Sequence, residues 1–191
     1  HYFKLAADQN DPRAQNILGN IYDKGTYVSR DTEKAIYYYE LAANQNFAYA
    51  QFYLGELYYN GRYVKRDMDK AFFYLKLAAE KNNLEALTLL GIMYCNEKFI
   101  ESDIEKGIHY LTLSANQNFK EAQYRLGMLY FDKNTEKGIY YLTLAAEQNH
   151  LDALNKLGLC YLNGIDVAQD VNKGIYYLTR AADRDHPGAQ N

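Results

Sequence analysis

Two prolines and two cysteines in 191 residues leave few places where a helix must break and no basis for a disulfide framework. No apolar run approaches the roughly 18 residues of a membrane-crossing helix, so no membrane span is expected. A strong charge of one sign is also missing. The formal net charge of −3 gives no broad basic field, which argues against a nucleic acid as the main partner. Arg62, Lys65 and Arg66 form a local basic strip that reads as a solvated loop. With 48% hydrophobic and 24% charged residues, the chain has enough apolar surface to fold and is not expected to be disordered.

The usual marks of chemistry are absent as well. There is no G-x-G-x-x-G, P-loop, G-x-S-x-G or C-x-x-C motif, so the common phosphate cradles, the nucleophile elbow and the redox dithiol are missing. His1, His109, His150 and His186 include no i, i+4 pair of the kind that binds a metal on one helix face. Glu33, Glu105 and Glu136 lie near helix starts, where the helix dipole accounts for them. No catalytic, cofactor-binding or metal-ligating residue is therefore expected, and an enzyme would need residues from distant parts of the chain to converge. No asparagine lies in an N-x-Ser/Thr sequon, which favours a reducing compartment such as the cytoplasm and leaves the location otherwise unassigned.

What the chain does have is repetition. AQNILGNIY from Ala14, AQFYLGELY from Ala50, ALTLLGIMY from Ala86, AQYRLGMLY from Ala122 and ALNKLGLCY from Ala153 share one template, with Leu-Gly pairs spaced 36, 36, 36 and 31 residues apart. A period of this size marks stacked supersecondary units, none of which can bury its apolar face alone. A second template follows each copy, beginning at Asp31, Asp67, Asp103, Asn134 and Asp170. The opening Asp or Asn caps a helix start. Asn46, Asn82, Asn118 and Asn149 close four copies, and Asp185 the fifth. Asparagine suits the left-handed position just past a helix end. Apolar and small residues recur every three or four positions in both templates, so each repeat reads as two antiparallel helices, A and then B.

Gly19, Gly55, Gly91, Gly127 and Gly158 sit in register inside helix A, where glycine costs about 1 kcal/mol relative to alanine. The expected reason is close approach of helix B at Ala42-Ala43 and their equivalents, with Tyr22 and its counterparts filling the space alongside. A leucine at Gly91 should overpack that contact. Most of the 21 tyrosines occupy template columns and read as structural. Cys160 takes an aliphatic column and reads as core, while Cys95 lies two repeats away in another column, so no internal disulfide is expected.

The pattern A-x-x-x-LG-x-x-Y, a loop glycine (Gly25, Gly61, Gly164), Val28, Val64, Ile100 or Val167, then D-x-x-K-[AG], an aromatic pair and AA-x-x-N resembles the Sel-one-like repeat family, a branch of the tetratricopeptide-type repeats. The resemblance covers the whole chain and implies an all-α, right-handed α-solenoid of stacked antiparallel helix pairs. It implies repeats at 11–46, 47–82, 83–118, 119–149 and 150–185 in a single array over 1–191, flanked by the end of one repeat (1–10) and the start of another (186–191). The chain is expected to be a piece of a longer array. Three departures stand out. Asn replaces the usual glycine at the end of helix B, Glu97 replaces a loop glycine, and the fourth repeat turns within about Phe131-Asp132-Lys133, which should draw its helices together. Some secreted members pin each helix pair with a disulfide, an arrangement missing here.

The resemblance also implies a concave wall built from helix A. Its columns are Asn16, Asn20 and Asp23; Phe52, Glu56 and Tyr59; Thr88, Ile92 and Cys95; Tyr124, Met128 and Phe131; Asn155, Leu159 and Leu162. Phe52, Tyr59, Ile92, Tyr124, Met128, Phe131, Leu159 and Leu162 are the expected contacts for a protein or peptide partner. Burial of these side chains against one another is the competing expectation. Positions 16, 52, 88, 124 and 155 hold no lysine, so the tetratricopeptide clamp for a terminal carboxylate is not expected. Helix B offers a second candidate surface, the outer column of Tyr37, Phe73, His109, Tyr140 and Tyr176, with packing between repeats, which the family pattern assigns to these aromatics, as the competing expectation. Function is thus expected to be that of a non-catalytic interaction scaffold or adaptor. The alternative is an architectural component of a larger complex, and a hydrolase comes last, through family members linked to cell-wall chemistry.

Overall fold

The computed structural model describes residues 2–61, 63–96 and 103–185, and every regular element among them is an α-helix. Two compact units divide the chain, His1–Ser102 and Asp103–Asn191. The first holds α1 (Tyr2–Asp8), α2 (Pro12–Lys24), α3 (Thr32–Asn44), α4 (Ala48–Asn60), α5 (Met68–Glu80) and α6 (Leu84–Tyr94). The second holds α7 (Ile104–Ala115), α8 (Lys120–Phe131), α9 (Thr135–Glu147), α10 (Leu151–Asn163) and α11 (Val171–Asp185). Within each unit, helices adjacent in sequence pack against one another. His1, Arg62, Glu97, Ile100, His186 and 189–191 lie outside the described residues, as does the side chain of Asp185.

The helix boundaries follow from local hydrogen bonding. Asp31, Asp67, Asp103, Asn134 and Asp170 each accept from the backbone N–H three residues on, at 2.9–3.0 Å, which satisfies one orphan donor of each B helix. At the other end Asn46, Asn82, Asn118 and Asn149 have φ near +60°, and Asn10 at the end of α1 has φ of +67°. This left-handed step lets the next N–H reach back to the last helical turn, as in Phe47 N to Ala42 O and His150 N to Ala145 O.

The helix A glycines receive a different partner from the expected one. A β-carbon on Gly19, Gly55, Gly127 or Gly158 would fall 2.5–2.7 Å from Tyr39, Leu75, Leu142 or Leu178 respectively. These large residues lie three positions before Ala42-Ala43 and their equivalents, so the glycine seats a bulky side chain rather than meeting another small one. Ala42 and Ala43 instead share a buried cluster with Ala50 and Leu54 of α4. The template tyrosines do fill the adjoining space. Tyr22 stacks on Tyr38, Tyr58 on Tyr74, Tyr130 on Tyr141 and Tyr161 on Tyr177, with centroids 5.7–6.2 Å apart. The lysine of D-x-x-K covers the same helix A ring at 4.0–5.4 Å in these four repeats, which gives that lysine a cation–π role.

Candidate functional site

In the second unit α8 and α10 lie side by side. His150, which caps α10, stacks on Tyr124 of α8 at 4.4 Å, and its Nε2 donates to Glu121 Oε2 at 2.9 Å. Its Nδ1 accepts from Ala153 N at 3.4 Å, so a neutral ring with the proton on Nε2 satisfies both contacts. Glu121 also accepts from Arg125 Nε at 2.6 Å. These bonds, led by the one from His150, hold the Glu121 carboxyl well below its usual range, at about 2. Further along the same face, Met128 and Leu159 are 40% and 49% exposed. Both directly follow the template glycine, so they occupy the same position on their two helices. Tyr124 and Leu162 are half-buried beside them.

Phe131 departs from its expected place. It is only 4% exposed and packs with Leu142, Leu154 and Leu157, while Lys156 Nζ lies 4.0 Å from its ring centroid. The short turn is the cause. Asn134 N bonds Tyr130 O at 2.7 Å, and α9 approaches so closely that a β-carbon on Gly138 would fall 2.8 Å from Phe131 Cα. The end of α8 is thereby folded into the core.

In the first unit Phe52, Tyr59 and Ile92 are half-buried. Phe52 tilts against Tyr53 at 5.3 Å, and the Arg66 guanidinium lies 5.6 Å from the Tyr59 ring centroid. Thr88, expected on the groove wall, is buried, with its hydroxyl donating to Leu84 O at 2.7 Å. The polar columns of α2 and α4 instead open a cleft of about 300 Å³ lined by Asp23, Lys24, Arg30, Tyr53, Glu56 and Tyr63, among others. Burial, with a smaller contribution from Asp23, pushes the Glu56 carboxyl above its ordinary range, and Lys24 opposes the shift.

Sequence reasoning missed an amide network that joins the repeats. Gln15, Gln51 and Gln123 are buried and donate to Ala7 O, Ala43 O and Ala115 O at 3.3–3.4 Å. Gln45 and Gln148, in the column just past helix B, donate to Gln15 and Gln123 Oε1 at 2.8 and 2.7 Å. Lys81 holds that column in the second repeat, and Gln51 Oε1 is left buried without a hydrogen-bond partner. Where Leu154 replaces the glutamine, Arg180 of α11 reaches Ala146 O and Asn149 Oδ1 instead, at 3.1 and 2.6 Å. The signal was in the sequence, as the paired recurrence of A-Q and Q-N. Lys81→Gln should supply the missing donor and stabilise the first unit by about 1 kcal/mol, read as a higher urea midpoint with unchanged slope.

The outer column on helix B, the second candidate surface, is open to solvent. Tyr37, Phe73, Tyr140 and Tyr176 are each more than half exposed, and they meet the neighbouring ring on their own helix edge-on at 5.1–5.4 Å. Cys160 is buried in the second unit's core, where desolvation raises its thiol pKa.

Glu121, Arg125 and His150 hold α8 and α10 together through their mutual contacts. A second cavity, of about 420 Å³, is lined by Lys120, Glu121, Asn149, His150, Leu151 and Asp152. A carboxylate held near pKa 2 is a weak base, both His150 nitrogens are engaged, and neither cavity lining includes Ser, Thr or Cys. Among the described residues no group of three or more His, Cys, Asp or Glu could hold a metal ion, and no helix is long and apolar enough to cross a membrane.

Antiparallel helix pairs seated on in-register glycines and packed in series within each unit define a helical-repeat solenoid protein. The Sel1 repeat model matches residues 1–11, 12–47, 48–83, 84–119, 120–150 and 151–186. The chain belongs to the Sel1 repeat family, whose members are generally protein-interaction scaffolds. No curated protein matches it. Among solved structures it is similar to a protective antigen present in uropathogenic Escherichia coli strains displaying an SLR fold, with a TM-score of 0.85 and 26% identity over 96% of this chain. The match spans 40% of the antigen's length. A Sel1 repeat protein from Oxalobacter formigenes gives 0.84 at 26% identity, covering 94% of this chain and 76% of that one. An immunity protein from Pseudomonas aeruginosa gives 0.69 at 22%, covering 96% and 72%, a likeness of fold alone.

Proposed function

We infer that the chain is a non-catalytic interaction scaffold that holds an apolar-anchored segment of a protein partner on the α8–α10 face. The observation that carries this reading is the exposure of Met128 and Leu159 in the same column of two A helices. Neighbouring large apolar side chains left in water are a common mark of a contact surface. Tyr124 and Leu162 border them, while Phe131 supports the surface from beneath. Phe52, Tyr59 and Ile92 are the corresponding candidates of the first unit. A displayed random-peptide library tests the reading. Selected peptides should share apolar anchors, and Met128→Asp with Leu159→Asp should weaken them at least about tenfold while circular dichroism is preserved. Undiminished binding to the double variant would refute the assignment.

A second reading, an architectural part of a larger assembly, draws support from the half-exposed ring column on the B helices. It expects Tyr140→Ser with Tyr176→Ser to abolish partner binding while the α8–α10 variant retains it.

A further inference from the structure

The α8–α10 face carries a charge pattern as well as an apolar one, and both helices lie within the second unit. Their acids, Glu121 and Asp152, sit in the first turns, where the helix dipole favours them. Beyond those turns each helix carries a single charged residue, and both are cations, Arg125 on α8 and Lys156 on α10. They occupy one column, three residues before Met128 and Leu159, so on each helix a cation and an exposed apolar side chain share a face about 4.5 Å apart along the axis. The surface thus bears two rows side by side, one apolar and one cationic. The same column holds Ile17, Tyr53 and Leu89 in the first three repeats, so packing of the helix pair does not demand a cation there.

The two cations differ in what they already hold. Arg125 is engaged by Glu121 at 2.6 Å. Lys156 is half-buried, with its Nζ 4.0 Å from the Phe131 ring centroid. Among the described residues no carboxylate pairs with it, neither Asp152 one turn before it, nor Asp132 after α8, nor Asp166 after α10. A ring face attracts an ammonium but neutralises none of its charge. A purely apolar occupant would therefore bury that ammonium unpaired, and a basic one would bring like charges together. A carboxylate beside the apolar anchors avoids both costs and gains a charge-assisted hydrogen bond. We propose that the α8–α10 face takes an acidic amphipathic segment of a partner protein, its apolar side chains on Met128 and Leu159 and an Asp or Glu side chain paired with Lys156 Nζ, an assignment that rests on the apolar reading of the same face.

The probe is a peptide of two Glu-Leu-Leu-Glu-Ala-Leu-Glu heptads, acetylated, amidated and labelled with fluorescein, set against the counterpart in which every Glu is Gln. Fluorescence anisotropy with the whole chain should show the Glu peptide binding about fivefold more tightly at about 50 mM sodium chloride, an advantage that shrinks at about 500 mM. Lys156→Met keeps an apolar stem on Phe131 and removes the charge, so it should erase the advantage while leaving the affinity for the Gln peptide unchanged. A lysine that only covers Phe131 would not produce that split. Met128→Asp with Leu159→Asp should abolish binding of both peptides, and binding that survives this double variant refutes the site itself. Equal affinity of the two peptides for the parent chain, or an advantage that persists in Lys156→Met, overturns the acidic assignment and leaves the apolar one standing. Saturation by neither peptide overturns both. A Gln peptide ending in a free carboxylate that matches the Glu peptide overturns the internal segment in favour of a chain terminus.

Discussion

Gly138→Leu is expected to destabilise the second unit by about 3 kcal/mol, near the upper end of overpacking costs. The reason is what the new side chain meets. A β-carbon there lies 2.8 Å from Phe131 Cα, 3.0 Å from Phe131 N and 3.1 Å from Gly127 O. All three are backbone atoms, so no rotamer change relieves the contact. At Gly127 the nearest obstacle is the Leu142 side chain, which has some freedom to move. Thermal unfolding by circular dichroism should show a Tm lower by about 6–12 °C. Gly138→Ala offers a graded comparison, since its helix-propensity gain of about 1 kcal/mol opposes the same clash. A Tm for Gly138→Leu within a degree of the parent would mean that α8 and α9 are less tightly apposed than described. The first two repeats carry Ala35 and Ala71 in this column, so only the copies that use glycine there require so close an approach.

The contrast shows what the sequence could and could not reveal. Helix ends were legible because they depend on single residues with local geometry: Asp31 and its equivalents as caps, Asn46 and its equivalents in the left-handed region. The repeat glycines were legible as a steric requirement, but their partners were not. Choosing between Tyr39 and Ala42 requires the rotation of helix B about its axis, and both residues recur at helical spacing. Depth was the other hidden quantity. Periodicity places Phe131 and Met128 on one broad face of α8, yet the turn that buries the first leaves the second in water. Thr88 looked like a wall residue until its hydroxyl turned back on its own helix.

The contact between Glu121 and His150 spans 29 residues and gives the second unit an acid sensitivity. The Glu121 carboxyl titrates near 2 when folded against 4.5 ordinarily. A carboxyl with a depressed folded pKa stabilises the fold above its unfolded value, and that contribution disappears as pH falls through the folded value. The window here therefore runs from about pH 4.5 down to about pH 2. The full shift would be worth about 3 kcal/mol, and partial exposure of the Glu121 side chain reduces this to about 2 kcal/mol. Urea unfolding at pH 6, 4 and 3 should show wild type more stable than Glu121→Gln by about that amount at pH 6. The gap should narrow at each step, because the parent progressively gains the proton whose absence the amide mimics. Arg125 stays charged throughout, so the narrowing reports the Glu121–His150 pair and not the arginine. A gap that stays constant from pH 6 to pH 3 would mean the carboxylate charge contributes nothing, leaving only the Tyr124–His150 stack to tie α8 to α10 at this point.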